Sequence, residues 1–487
     1  MSPIKTNMPP GILNLHFINV LTTFGYAVIY SSLTIYLIKI FKISHNYANG
    51  IVGLFIAINF ALHLLGGYIG GRLLSNRALF IVTMLFQMIG LYILSWSGLN
   101  FLFFGLSVFL VGCGINTTCY NCMFTQQFDQ NDPRRETAFF YNYCAMNAGF
   151  FIGFIVSGFF DLRGNYHALL YISNLFNIIT LIVMVFSWKY LADKGTQFIK
   201  LPPQKRFVHQ SLGLGMLLLL VPVIVMAFQH ASWANNMVLL LGVGVIVFIY
   251  MIAGKRFTAI ERNKIHSFLI LTIASIVFWM LYYVGPIGIM QFFKNNVESR
   301  FYNYQIPPQW IMNLNAIFII AGSPLLAFVL SRLRRRGFDM PISRQFAFSL
   351  AAIALSFFSL SMGIKYCNAQ GLTSLVWVGM HFFIQAFGEL LIVPVGFAMI
   401  GKLAPANLQG IMMGLWLMVP GISATLSQYC SSSMTQSEAV NPLASNPDYF
   451  EAFNQTGLYA LIAAALLLLL SSKIDKFVKA DAEMCII

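Results

Sequence analysis

Long apolar segments and short polar segments alternate along almost the whole chain. About fourteen of the apolar segments approach the roughly 20 residues that an α-helix needs to cross a hydrocarbon core of about 30 Å. The predicted spans are Leu15–Ile40, Ile51–Gly70, Leu79–Ser97, Phe101–Phe124, Ala138–Phe160, Leu169–Trp188, Leu212–Phe228, Met237–Ile252, Phe268–Phe293, Ile311–Leu330, Phe346–Ile364, Leu372–Ile400, Leu408–Ser427 and Thr456–Leu470. The pattern predicts an all-α polytopic membrane protein.

The composition agrees with this class. Of the 487 residues, 58% are hydrophobic and 9% are charged, and the mean hydropathy is +0.75. Soluble globular domains carry about 25% charged residues, so this chain has too few charges to cover a soluble surface.

The basic residues lie mainly in loops on one side of the predicted helices. The formal net charge of +14 is a value that can indicate nucleic-acid binding. With a cytoplasmic N-terminal segment and alternating helices, however, 23 of the 29 Lys and Arg residues fall on the cytoplasmic side. This bias is typical of membrane topology, so we expect a lipid bilayer as the partner, no nucleic acid, and both termini in the cytoplasm.

The loops divide the chain into three parts. Residues 1–188 hold six predicted helices, residues 189–265 hold basic linkers around two inserted helices, and residues 266–487 hold six further helices and a short tail. Such a plan is typical of a major-facilitator fold with two six-helix bundles and an inserted helical hairpin. By analogy, substrate is then bound between the two halves near the membrane midplane.

A single acidic residue, Glu389, lies deep inside a hydrophobic span. A carboxylate at bilayer depth costs several kcal/mol unless it faces a polar cavity or takes up a proton, so Glu389 is a candidate functional residue. His381, Gln385 and Glu389 are spaced by four and form one polar stripe on a helix, which we expect to face a cavity. The alternative is that His381 and Gln385 satisfy one another or backbone groups between helices.

Other chemistry has little support in the sequence. Cys119 and Cys122 form a C-x-x-C pattern, but they lie in a hydrophobic helix without further ligands at metal-binding spacing. No nucleophile–base pair or phosphate-binding loop occurs at useful spacing. We therefore expect no metal, no cofactor and no enzymatic activity.

Sequence motifs occur in three parts of the chain: Gly388–Leu390, Pro394–Gly396, Lys402–Pro405 and Leu408–Trp416; Asp132–Arg135 with Phe140, Tyr143, Asn147 and Gly149; and Asn315 with Gly322–Pro324. They resemble, in that order, the tenth and eleventh helices, the fourth loop and fifth helix, and the eighth helix of one transporter family, the proton-dependent oligopeptide transporters. The resemblance covers nearly the whole chain. It implies a bacterial inner-membrane transporter that moves peptides with protons.

The resemblance also implies a set of binding residues. Asn147, Asn315 and Glu389 match family positions that hold the amino end of a peptide. Four further residues complete the predicted substrate-binding set: Tyr26, Tyr143 and Trp416 as aromatic candidates, and Gln385 from the polar stripe of Glu389. Glu389 and His381 are the predicted residues of proton coupling.

Several positions depart from the family pattern, including Phe60 in place of a second-helix tyrosine and Gly71 in place of a loop aspartate, and four of them lie where the first and fourth helices are charged. The first-helix motif Glu-x-x-Glu-Arg is replaced by Asn19, Thr22 and Thr23, and the fourth-helix lysine corresponds to Thr117. In the family, the Arg and Lys at these positions are proposed to receive the peptide carboxylate. Because this chain lacks both cations, we expect ordinary zwitterionic peptides to be weak substrates.

Three functions fit these observations. The first is a secondary active transporter of peptide-like or other small amino-bearing solutes, working by alternating access and coupled to protons through Glu389. The second is an uncoupled uniporter or exporter of a neutral or cationic compound. The third is a relic that senses a ligand without transporting it, although such a protein has no reason to keep a costly buried acid.

Overall fold

A computed structural model describes residues 8–96, 98–128, 134–301, 304–337, 340–403, 405, 408–434 and 441–484. The helices of the first half are α1 (Ile12–Lys39), α2 (His45–Ile69), α3 (Asn76–Leu94), α4 (Leu99–Thr125), α5 (Arg134–Leu162), α6 (Tyr166–Phe186), α7 (Gln197–Lys200), α8 (Pro203–Gln229) and α9 (Ala231–Arg256). The remaining helices are α10 (Ala259–Val284), α11 (Met290–Asn296), α12 (Pro308–Arg335), α13 (Ile342–Lys365), α14 (Leu375–Leu403), α15 (Gln409–Met434) and α16 (Pro442–Met484).

Two small elements interrupt the helices. A π-helical turn, Gly285–Ile289, joins α10 to α11 and contains Pro286, which has no backbone N–H for a regular α-helical bond. The strands β1 (Arg300–Phe301) and β2 (Tyr304–Gln305) form a short antiparallel pair after α11.

Each predicted span overlaps a helix of the structure. Among the described residues, thirteen segments are long and apolar enough to cross a membrane. The fourteenth predicted span, Ile311–Leu330, lies within α12, a helix of 28 residues. Several side chains of this helix are not among those that the structure describes. The motif residues Asp132, Pro133 and Ala404 also lie outside the described residues. The prediction of an all-α integral membrane protein is therefore confirmed.

Helix starts follow ordinary capping chemistry. The Ser75 side chain accepts a hydrogen bond from the backbone N–H of Ala78 at the start of α3, and Asn165 does the same for Ala168 at α6. At α10, Thr258 and Glu261 form a reciprocal capping box. These caps satisfy N–H groups that the first turn of a helix leaves without partners.

The chain divides into two compact units. The first comprises Met1–Lys42 and Ile58–Ala231, and the second comprises Ile43–Ala57 and Ser232–Ile487. Helix α2 therefore contributes residues to both units. The three-part division predicted from the loops remains a prediction.

Within the first unit, α3 and α4 pack with their backbones close together. An added Cβ atom at Gly90 would lie 2.4 Å from the Phe109 backbone nitrogen, and one at Gly112 would lie 2.6 Å from the Gln87 backbone nitrogen. Only glycine fits at such distances, as is usual where membrane helices approach closely. This contact sets the position of Gln87 on α3.

Candidate functional site

A close contact between α13 and α14 sets the position of Glu389 in the second unit. Ser349 Oγ on α13 donates a hydrogen bond to the Gly388 carbonyl oxygen at 2.8 Å. An added Cβ at Gly388 would lie 3.1 Å from both the Ser349 carbonyl oxygen and a ring carbon of Phe278. A side chain at this position would require its neighbours to shift slightly, so the glycine allows this close contact one residue before Glu389.

Glu389 is paired with an amide on α12. Its side chain is buried, with 8% of its surface exposed, and Oε2 accepts a hydrogen bond from Asn315 Nδ2 at 2.9 Å. The same nitrogen lies 3.3 Å from the hydroxyl of Tyr282 on α10. Within the described part of the chain, the one salt bridge joins Lys39 to Asp161. Among the described residues, Glu389 is therefore an acceptor without a basic partner.

Tyr282 connects this pair to an aromatic cluster on α10. Its ring centroid lies 5.0 Å from that of Trp279 and 5.6 Å from that of Tyr283. Aromatic faces attract cations, and the Tyr282 hydroxyl brings this cluster next to Asn315, the partner of Glu389. Tyr282 was not predicted from the sequence. It could have been, because it lies in the same span as Trp279 within a run of aromatic residues.

The rest of the predicted stripe on α14 packs against α13. His381 is fully buried, its Nδ1 lies 3.1 Å from the Ser356 carbonyl oxygen, and its ring meets that of Phe357 edge to face at 5.3 Å. Gln385 is also buried, and within the described part of the chain its Oε1 has no hydrogen-bond partner. This geometry matches the alternative in which His381 satisfies a backbone group, and the proton-coupling role of His381 remains a prediction.

Three further predicted binding residues lie on α5 and α15. Asn147 on α5 is buried, and its Nδ2 donates to the carbonyl oxygen of Tyr143 one turn earlier at 2.9 Å. The Tyr143 side chain is exposed. Trp416 is buried in α15. Their predicted binding roles remain predictions.

The first unit contains a cavity of about 360 Å³, and most of the residues that line it are polar in type. It brings together Tyr26 and the four first-helix and fourth-helix positions that lack the family's charges. The residues that line it are Asn19, Thr22, Thr23 and Tyr26 from α1, Asn59, Phe60 and His63 from α2, Gln87 from α3, Cys113, Asn116, Thr117, Tyr120 and Asn121 from α4, and Asn142, Met146 and Phe150 from α5. The volume lies in the range of small-molecule sites.

Hydrogen bonds inside the cavity join neutral groups. Asn19 Nδ2 donates to Asn142 Oδ1 at 2.9 Å, Tyr120 also donates its hydroxyl to Asn142, and Thr23 donates to Asn19 Oδ1 at 3.3 Å. Thr117 donates to the carbonyl oxygen of its own preceding turn. Amide and hydroxyl groups thus occupy the positions that are charged in the resembled family.

No described residue that lines the cavity is Asp, Glu, Lys or Arg. The sequence predicted the loss of charge at four positions but not most of the other polar residues that line the cavity. A signal was present, because Asn59 and His63, like Asn116 and Tyr120, are spaced by four within apolar helices and so lie on one helix face.

Membrane-spanning helices, a cavity lined mostly by polar residues in one unit and a buried carboxyl group in the other define a polytopic membrane transport protein. A family model described as the POT family matches residues 77–451. The chain belongs to the POT family, which confirms the resemblance found in its motifs.

Curated relatives and solved structures agree with this assignment. The chain is 26% identical over 468 residues to dipeptide and tripeptide permease A of Klebsiella pneumoniae (strain 342), covering 94% of this chain and 91% of the relative. It is 27% identical over 465 residues to dipeptide and tripeptide permease B of Photorhabdus luminescens, covering 94% and 95%. A crystal structure of a peptide transporter POT in complex with sulfate matches with a TM-score of 0.84 and 21% identity, covering 97% of this chain and 96% of that chain.

The structural match establishes the fold. At this level of identity, a TM-score of 0.84 over nearly the whole of both chains shows the same arrangement of helices. The predicted major-facilitator fold is thus confirmed. The compared proteins are transporters rather than enzymes.

Proposed function

We propose that the chain is a secondary active transporter of peptide-like, amino-bearing solutes in a bacterial inner membrane, with both termini in the cytoplasm. Transport proceeds by alternating access, and Glu389 couples it to protons. The observation that carries the proposal is the buried carboxyl group of Glu389, which has an amide partner and no basic partner among the described residues. The dipeptide and tripeptide permeases named above support the choice of substrate class.

The chemistry of Glu389 supports both roles. A buried carboxylate with one amide donor is only partly compensated for its loss of hydration. Either a proton or the ammonium group of a substrate neutralises it, so both ligands stabilise the same group. The nearby rings of Tyr282 and Trp279 favour a cation over an anion.

The uncharged cavity of the first unit favours a second candidate function. A protein that lacks cations at the family's first-helix and fourth-helix positions fits an uncoupled uniporter or exporter of a neutral or cationic compound. Proton coupling separates the two candidates.

The deciding experiment uses full-length protein in proteoliposomes. A thermal-shift screen against dipeptides, dipeptide amides and simple amines first identifies ligands, since a ligand stabilises only the state that it binds. Uptake of those ligands is then measured with an imposed proton gradient and without one. We expect saturable uptake that the gradient increases. Uptake indifferent to the gradient would favour the uniporter, and binding without any uptake would indicate a ligand sensor.

A further inference from the structure

Two buried polar atoms in the wall of the first-unit cavity have no partner. Gln87 is 1% exposed, and its Oε1 has no hydrogen-bond partner within the described structure. His63 Nε2 is likewise buried and has no partner among the residues that the structure describes. Both residues line the cavity. Because buried polar atoms in native proteins are nearly always hydrogen-bonded, these two atoms indicate a ligand that supplies the missing bonds.

Packing against α4 fixes the position of Gln87 in the cavity wall. Gly112 on α4 lies directly behind it, since an added Cβ there would be 2.6 Å from the Gln87 Cγ and backbone nitrogen. The Gln87 Nε2 atom lies 3.6 Å from the Met84 sulfur, and Asn116 Nδ2 lies 2.8 Å from the same sulfur. The side-chain amide of a Gln residue can be built in two orientations that exchange its nitrogen and oxygen, and in either orientation at least one of the two Gln87 atoms has no partner among the described residues.

His63 is also held in place from α4. Thr118 Oγ1 donates to the His63 carbonyl oxygen at 2.8 Å, and the His63 ring packs edge to face on Phe60 at 5.3 Å. In its neutral form, an imidazole nitrogen serves as a donor or as an acceptor, depending on the tautomer. The cavity wall therefore contains two unpartnered hydrogen-bonding atoms, on two different helices.

The neutral wall selects the charge of the ligand. A carboxylate entering this cavity would lose its hydration and meet no Lys or Arg among the described lining residues. A carboxamide carries two donors and an acceptor on an uncharged group, so it matches an unpartnered amide atom in either orientation and an imidazole nitrogen. A wall of Asn, Thr, Gln and Tyr side chains suits the same group.

We propose that the first-unit cavity binds an uncharged carboxamide end group and that Gln87 and His63 are its specificity-determining contacts. That this end group belongs to the transported solute rests on the function proposed above; its binding in the cavity does not. The substrate class becomes amino-bearing compounds whose other end is a neutral amide.

The test measures affinity with ligands that carry no amine and so do not depend on Glu389. N-acetylalaninamide and N-acetylalanine differ only in having a neutral amide or a carboxylate at one end. Their dissociation constants are measured by calorimetry on the full-length protein in lipid nanodiscs. We expect the amide to bind at least about tenfold more tightly, which corresponds to about 1.4 kcal/mol.

Variants assign this preference to the two residues. Gln87→Met keeps the length of the side chain and removes the amide, and His63→Phe keeps a ring and removes the nitrogens. Each is expected to weaken amide binding about five- to tenfold, the effect of one lost hydrogen bond. Thr180→Val is the control, because Thr180 is buried on α6 outside the cavity and its hydroxyl donates to the Phe176 carbonyl oxygen of its own helix.

Two results would overturn the proposal. One is an affinity for N-acetylalanine equal to or greater than that for the amide; the other is amide affinity unchanged in both folded variants. If one variant does not fold, the proposal is still tested by the other variant and by the ratio of the parent's dissociation constants for the amide and the acid. Uptake of Ala-Ala-NH2 by proteoliposomes separately tests the proposed function, so a preserved amide preference without uptake refutes transport and leaves the binding site in place.

Discussion

Asn315 Nδ2 lies 2.9 Å from Glu389 Oε2, which joins α12 to α14 through one amide and one carboxyl group. An amide stabilises a carboxylate less than a guanidinium or ammonium group does. The pair therefore holds the carboxyl group in position while leaving most of its charge to be neutralised by a ligand.

The first prediction concerns the charge of Glu389. We expect Glu389→Gln to bind substrate more weakly, to transport it poorly, and to lose the pH dependence of uptake. A hydrogen bond to a charged group contributes about 1.5–3 kcal/mol, so we expect a loss of about 10- to 150-fold in uptake. The measurement is initial uptake by proteoliposomes across a series of pH values.

Glu451→Gln is the matched control for this variant. Glu451 is exposed on α16 and accepts a hydrogen bond from Gln455 at 2.8 Å. The same Glu to Gln change at this place should leave uptake and its pH dependence as in the parent. If Glu389→Gln also behaved like the parent, the assignment of Glu389 to the central site would be wrong.

A second prediction tests whether Asn315 and Glu389 act as a pair. Asn315→Leu removes the amide donor from the carboxyl group, and the double variant Asn315→Leu with Glu389→Gln removes both partners. We expect the two effects on substrate affinity to be non-additive, with an interaction energy of about 1–3 kcal/mol, because the residues share one hydrogen bond. Additive effects would show that the two side chains act independently.

The spans and Glu389 were predictable because the signals for them are local. A run of about 20 apolar residues is enough to identify a membrane helix, and one acid inside such a run needs no tertiary contact to stand out. The pairing of Glu389 with Asn315 is different in kind. These residues are far apart in the chain, and only the resemblance of their motifs to one family placed them in a common set.

The first-unit cavity was only partly predictable, since its wall comes from five helices. The sequence showed which charges are missing at Thr23 and Thr117, but not that Gln87 and His63 line the same space. Gln87 enters the wall because Gly112 lets α3 approach α4, and a glycine in a hydrophobic helix does not reveal which residue it faces. The polar stripe on α14 was predicted from its helical spacing, but that spacing did not indicate that His381 contacts α13.

A third prediction concerns this close helix contact. Gly90→Ala places a methyl group 2.4 Å from the Phe109 backbone nitrogen, so the backbone of α3 or α4 must shift to make room for it. Overpacking typically costs about 1–3 kcal/mol, which exceeds the roughly 1 kcal/mol that alanine gains over glycine in a helix. We expect a lower unfolding temperature and less folded protein.

Gly244→Ala provides the control for this substitution. An added Cβ at Gly244 on α9 meets nothing within 4 Å, so the variant should be as stable as the parent or slightly more stable. Equal unfolding temperatures for both variants and the parent would mean that α3 and α4 do not need this close approach.

The last prediction restores the charges that the family carries in the first-unit cavity. Thr23→Arg and Thr117→Lys supply cations, and Asn19→Glu and Thr22→Glu supply counter-charges, all at residues that line one cavity. We expect the quadruple variant to gain affinity for a zwitterionic dipeptide such as Ala-Ala, because a carboxylate then meets a cation in a site of low dielectric constant.

The four changes are expected to work only together. A lone Arg or Lys at this depth is an uncompensated buried charge, which costs several kcal/mol and should lower expression or stability. Calorimetric affinity for Ala-Ala is therefore measured for the parent, each single variant and the combined variant, with unfolding temperature as the check on folding. A gain confined to the combined variant would show that the loss of these charges alone removed carboxylate recognition. A well-folded combined variant without any gain would show that the cavity has changed in shape as well as in charge, so that membership of the family determines the fold but not the ligand.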